Sequence, residues 1–233
     1  MNGWIKSEKD LKMYCFSPPV MLATFIVEIC LALYALIRYK ANEVGRLVIA
    51  MLIFLAAFQL AEYNVCLASW LDPLLASRLG YVAITMLPPL GIHLAYALAG
   101  TKKRPLLLPA YASAVAFGAF FLLIGNGLTG HACMGNYVIF QIAPASSWLY
   151  TLYYYGWLLM GILLCARLGT AKTQAALYGL GVGYLAFLLP TTAVNMFDAS
   201  TLSGIPSIMC GFAVILAFIL VGWVMPKGGE KRE

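Results

Sequence analysis

Residues 205–225 read IPSIMCGFAVILAFILVGWVM, without one acidic or basic side chain. At about 1.5 Å of rise per residue, such a helix is about 30 Å long, the thickness of a bilayer's hydrocarbon core. The rest of the chain cannot bury it in a soluble core. The 233 residues are 63% hydrophobic and 10% charged, against roughly 45–50% and 25% in soluble domains. Six further apolar runs are long enough to span: 18–37, 47–69, 79–100, 106–124, 148–166 and 175–195. The expected fold is an all-α membrane protein, a seven-transmembrane helix bundle covering 18–226. Residues 1–17 form an extracytoplasmic segment, and 227–233 a cytoplasmic tail. Residues 1–12 are polar and mixed in charge, unlike a cleavable signal.

Orientation follows from Lys and Arg near the span ends. One side holds Arg38, Lys40, Arg46, Lys102, Lys103, Arg104, Arg167, Lys172, Lys227, Lys231 and Arg232. The other holds Lys6, Lys9, Lys12 and Arg78, a bias of 11 to 4. The richer side is expected in the cytoplasm, which puts the N-terminus outside, in the cell (inner or plasma) membrane. The net charge of +6 then reads as attraction to anionic lipid headgroups, not to nucleic acid. The longest external connection, 125–147, contains the β-prone run 137–142 after Gly135-Asn136. It is read as a hairpin lid or as an irregular loop.

Glu28 and Glu62 are the only acidic residues inside the spans, and His93 is the only intramembrane histidine. An ionised group at mid-bilayer costs about 2.5–3.5 kcal/mol on insertion scales, so such side chains usually face the bundle interior. Glu28 and Glu62 are read either as hydrogen-bonded helix contacts or as ligand or ion groups. His93 is read as a satisfied core residue or one reaching for Glu28. Gln59, Glu62 and Tyr63 share a helix face. The outer half gathers Glu62, Asn64, Tyr81, Thr85, Tyr153, Tyr154, Tyr155, Thr191, Thr192, Asn195 and Ser207. From these, Glu62, Tyr63, Thr85, Tyr154 and Asn195 are the expected lining of an outward cavity. The bland alternative is interfacial tyrosines and helix-joining polar groups. Pro88-Pro89 and Pro190 should kink their helices, whereas Pro206 sits in a first turn where proline is tolerated.

Several chemistries are excluded. The last run has no Lys for a retinal Schiff base. His93 and His131 cannot ligate a membrane haem as a pair, because His131 is in the external loop. Ser203-Gly204 has no base to serve it. The cysteines show no metal-type spacing. No cofactor, metal or enzymatic activity is expected. A disulfide between Cys15 and Cys133 is expected on the oxidising side, with Cys66 as the competing partner.

The stretches Gly80-Tyr81-Val82-Ala83-Ile84 and Leu87-Pro88-Pro89-Leu90-Gly91-Ile92-His93-Leu94-Ala95-Tyr96-Ala97-Leu98 give an aromatic-glycine start, a central proline and an apolar-polar-aromatic end. Gly204-Ile205-Pro206-Ser207 opens the last run. This pattern resembles the N-terminal seven-helix sensor region of bacterial membrane histidine kinases and diguanylate cyclases. That resemblance implies a receptor-like bundle that binds an external or outer-leaflet small molecule or lipid and signals to a cytoplasmic partner. The family's ligands are mostly undefined, so no binding residue carries over. A kinase or cyclase normally follows such a region. Here only 227–233 follow, which fits a stand-alone relative or a piece of a larger protein. Expected partners are the bilayer, the ligand, a cytoplasmic signalling protein and a second copy of the chain. A small transporter or channel, or a structural subunit of a membrane complex, are the competing readings.

Overall fold

The computed structural model describes residues 17–67, 70–124, 127–133, 137–197, 201 and 204–232. Helix α1 (Pro18–Arg38) opens on two prolines, whose missing amides fall where a helix has no intrahelical acceptor, and closes on Arg38. One stripe of it, Met21, Thr24, Glu28, Ala32 and Ala35, is buried, and it packs on α2 (Glu43–Leu67). Helix α2 is the central strut. It touches α1, α3, α4 and α8 and is buried on most faces, from Leu47 through Val65.

The third apolar run becomes two helices, α3 (Pro73–Thr85) and α4 (Leu87–Ala99), divided at Met86. Pro88 and Pro89 have no amide hydrogens to offer the carbonyls of Ile84 and Thr85, so the α-helical ladder breaks there. Helix α3 starts earlier than the apolar run does. Asp72 caps it by accepting from the Leu75 amide at 2.9 Å, and Pro73 occupies its first turn.

Next come α5 (Leu107–Leu123), β1 (Leu128–Cys133), β2 (Val138–Ile142), α6 (Pro144–Arg167), α7 (Gln174–Phe197) and α8 (Ile205–Ile219). A π-helical turn, Leu220–Val224, joins α8 to the short α9 (Met225–Gly228). Among the described residues six helical stretches are long and apolar enough to cross a bilayer: Pro18–Arg38, Glu43–Leu67, Pro73–Ala99, Ser146–Arg167, Gln174–Phe197 and Ile205–Gly228. Helix α5 is shorter. The chain is therefore a helical, multi-pass membrane protein. Helix α5 runs antiparallel to α3 and α4, because Tyr111 near its start meets His93 and Phe121 near its end packs on Tyr81.

The two ends of the bundle differ. At the basic end, Glu230–Arg232 folds back on the α1–α2 connection. The Lys40 amide donates to the Glu230 carbonyl at 2.7 Å and the Arg232 amide to the Arg38 carbonyl at 3.1 Å. At the opposite end β1 and β2 form an antiparallel hairpin. Val138 and Phe140 of β2 are buried. Phe140 wedges between Phe58 of α2 and Tyr81 of α3, with ring centroids 5.7 and 5.3 Å away. The β-prone run thus forms a strand, and its alternate residues seal the bundle.

The cysteine expectation is corrected here. Cys133 at the end of β1 is bonded to Cys66 of α2, with their Cα atoms 5.4 Å apart. Cys15 lies outside the described residues. The last turn of α2 ends directly beneath β1, which is the geometry a disulfide requires.

Candidate functional site

A cavity of about 350 Å³ lies beneath the hairpin. Its walls come from four places: Tyr81 and Ile84 of α3, residues 139–142 of β2, Ser147, Tyr150, Thr151, Tyr154 and Tyr155 of α6, and Ile205, Pro206 and Met209 at the start of α8. Helix α7 packs against both α6 and α8 yet contributes no lining residue, so α6 and α8 face each other across the space. Among the described residues no lining side chain is charged. Gln141 and Thr151 are exposed and form the rim. Tyr81, Ile84 and Met209 are buried and form the floor. Tyr154 and Met209 also border a second, apolar void of about 20 Å³ deeper in the bundle. The site is therefore polar at its mouth and apolar at its base.

The back wall is an aromatic cluster. Tyr81, Phe121 and Tyr150 meet with centroids 4.9 to 5.6 Å apart, and Phe117 packs on Tyr153 at 4.8 Å. Hydrogen bonds fix the tyrosines. The Thr85 hydroxyl donates to the Tyr81 carbonyl at 2.6 Å and lies 3.0 Å from the Tyr150 hydroxyl. The Tyr153 hydroxyl donates to the Thr85 carbonyl at 2.6 Å, an acceptor left free by the proline break. Thr85 thus braces the wall from behind without lining it.

Of the residues expected to line the cavity, Tyr154 does. Glu62 is fully buried behind α8 and pairs with Ser207. The Ser207 hydroxyl also accepts the Val138 amide of the hairpin at 3.1 Å. Tyr63 packs at the edge of the core and is not among the lining residues. Asn195 accepts from the Thr201 hydroxyl at 2.7 Å, holding the connection after α7. Asn64 does the same after α2, donating to the Leu71 carbonyl at 2.7 Å. Sequence reasoning missed Tyr150, Ser147, Thr151, Gln141 and Met209. Ser147, Tyr150 and Thr151 lie at helical spacing on the same face of α6 as Tyr154, a signal the sequence did carry, whereas Gln141 and Met209 join them only because the hairpin folds over α6 and α8.

Of the two readings of His93, the hydrogen-bonded residue is the one the structure shows. It does not reach Glu28. It sits in the last two turns of α4, at the basic end, with Nε2 3.1 Å from Glu43 and Nδ1 3.0 Å from the Tyr111 hydroxyl. Arg104 grips Glu43 in a fork, through a short contact from one guanidinium nitrogen and a 2.9 Å bond from the other. Carboxylate hydrogen bonds hold the Arg104 guanidinium above its ordinary pKa. This cluster joins the start of α2, the end of α4 and the start of α5. Glu28 is wholly buried, and among the described residues neither of its carboxyl oxygens has a hydrogen-bond partner.

No protein-family model, curated protein or solved structure matches the chain.

Proposed function

We propose that the chain is a seven-helix, receptor-like membrane sensor whose cavity beneath the hairpin takes an outer-leaflet or external ligand. The observation that carries this reading is the cavity itself: about 350 Å³, within the usual range for small-molecule sites, roofed by a disulfide-anchored hairpin. Its uncharged walls and polar-to-apolar gradient suit a neutral amphipath, with its polar end against Gln141, Ser147 and Thr151 and its apolar body against Ile84, Tyr154 and Met209.

Two independent features support an N-terminus outside and a C-terminus in the cytoplasm. The basic residues favour one side 11 to 4, and the Cys66–Cys133 disulfide lies at the opposite end, as an oxidising exterior requires. Helix α5, at about 25 Å, is short for a span but runs alongside both α3 and α4, which supports a seventh crossing. The resemblance to sensor regions of histidine kinases and diguanylate cyclases points to a cytoplasmic signalling partner at the basic end.

The test is ligand retention. The purified chain is extracted with organic solvent, and the extract is compared with that of Thr151→Trp, which fills the rim. A neutral amphipath enriched with the wild-type chain and depleted with the variant supports the reading. Equal recovery from both, or none from the wild type after incubation with membrane lipid extract, overturns it.

A further inference from the structure

A groove of about 590 Å³ runs between α5 and α6 and shares no lining residue with the cavity beneath the hairpin. Pro109, Ser113 and Phe117 of α5 form one wall, and Leu149, Gly156 and Met160 of α6 lie along the other. The helices are joined along it where the Trp157 indole nitrogen donates to the Ser113 hydroxyl at 3.1 Å and where Phe117 packs on Tyr153. A Cβ on Gly156 would meet no neighbouring atom within 4 Å, so the groove is open there.

We infer that this groove holds one acyl chain of an anionic phospholipid from the leaflet at the basic end, whose headgroup is held by Lys102, Lys103 and Arg167. Length points to a single leaflet. Leu149 to Met160 spans about 16 Å at about 1.5 Å per residue, close to the roughly 15 Å of hydrocarbon in one leaflet. Pro109 stands in the first turn of α5, so the groove starts at the basic end and runs toward the midplane. Register places the headgroup. The Trp157–Ser113 bond sets those two residues level. From that level α5 runs about 9 Å back to Leu107, and α6 runs about 15 Å on to Arg167. Both helices thus reach the same end, where Lys102 and Lys103 come shortly before α5. Leu149, Gly156, Met160 and Arg167 recur at helical spacing on one face of α6, so Arg167 continues the groove's own wall.

All three cations are exposed, and among the described residues no carboxylate is paired with them. Glu43 is taken by Arg104 and His93, and Glu230 by Lys40. Unpaired cations at the mouth of an apolar slot match a phosphate joined to a hydrocarbon chain, and each adds attraction to a net negative headgroup. Their long side chains can lie along the slot while their charges stay at the interface. A helix of a second copy fits less well. A two-fold interface sets the same patch on both sides, which would bring Arg167 and the lysines of one copy against their like in the other.

The experiment is native mass spectrometry of the full purified chain in detergent, incubated with equal amounts of phosphatidylglycerol and phosphatidylcholine that carry the same acyl chains. One phosphatidylglycerol should stay bound per chain, with a preference of about tenfold or more. Arg167→Gln should cut that preference about fivefold, and adding Lys102→Gln and Lys103→Gln should remove it. Unfolding temperatures of these variants without lipid should stay near wild type, since all three positions are exposed. Gly156→Phe, whose ring enters the open groove, should abolish retention of both lipids. If Gly156→Phe does not accumulate, the charge variants carry the test. Equal retention of the two lipids by the wild type, a preference that survives loss of all three cations, or unchanged retention in Gly156→Phe would overturn the inference. So would a dimer that Gly156→Phe dissociates, the mark of a second copy in the groove.

Discussion

The Tyr153 hydroxyl donates to the Thr85 carbonyl at 2.6 Å, across 68 residues of chain, and takes the place of the amide that Pro89 lacks. A buried carbonyl without a donor costs about 1–3 kcal/mol. Tyr153→Phe should therefore lower unfolding stability by about that amount, although it removes one oxygen atom and no packing. Thermal unfolding of the purified variant measures this. An unfolding temperature equal to wild type means that Thr85 finds another donor.

Tyr184 of α7 wedges its ring between Gly91 of α4 and Gly161 of α6. A Cβ on Gly91 would overlap the Tyr184 hydroxyl, and one on Gly161 would lie 3.1 Å from it. The hydroxyl is buried, with no hydrogen-bond partner among the described residues. Gly91→Ala should destabilise by about 1–3 kcal/mol through overpacking. Tyr184→Phe should be neutral or mildly stabilising, since it deletes an unsatisfied group. Added to Gly91→Ala, it should recover part of the loss, so a double-mutant cycle that comes out strictly additive argues against the wedge.

Phe140 is the plug of the hairpin, 5% exposed between Phe58 and Tyr81. Phe140→Ala should cost about 3–5 kcal/mol if the hairpin unfolds with the bundle. A smaller loss in unfolding, together with rapid protease cleavage near residues 134–136, means that the hairpin opens on its own. Limited proteolysis beside calorimetry separates the two.

Cys66 and Cys133 enclose 67 residues of sequence separation. In the chain-entropy view, closing a loop of that size stabilises by about 4 kcal/mol. Cys66→Ser and Cys133→Ser should each lose about 2–4 kcal/mol, and the double variant should lose no more than either. Each single variant should also gain one maleimide-reactive thiol. A wild-type chain that labels at both positions without reduction rules the bond out.

Much of the helical framework is legible in sequence, because a bilayer allows a long uncharged apolar run little besides a helix. The run 18–37 becomes Pro18–Arg38, and 175–195 lies within Gln174–Phe197. The start of α3 is not legible from hydropathy. Ser77 and Arg78 interrupt the run there, and the deciding signal is local, the Asp72 cap and Pro73. Arg78 also shows that one charged residue does not end a helix whose backbone is already satisfied. The disulfide resisted reading because Cys15, Cys66 and Cys133 are equivalent by compartment, and only the placement of β1 over α2 chooses between them. The cavity resisted for the same reason. Tyr154 was within reach of an argument from depth, and Ser147, Tyr150 and Thr151 from their helical spacing to it, but Gln141 joins them only through the fold of the hairpin.

The backbone pairing of Glu230–Arg232 with Arg38–Lys40 turns the bundle into a closed mechanical circuit. Helix α8 begins at the cavity with Ile205, Pro206 and Met209, and the same continuous rod ends in the segment clamped to the α1–α2 connection. A few residues further along that connection stands Glu43, held by Arg104 and His93. Any displacement of α8 along its axis would pull on Tyr39 and Lys40 and load the Glu43–Arg104 clasp, some 30 Å from Ile205 (about 1.5 Å per residue along the rod). The tail in this arrangement is a drawbar, coupling the far end of one helix to the loop that fixes three others.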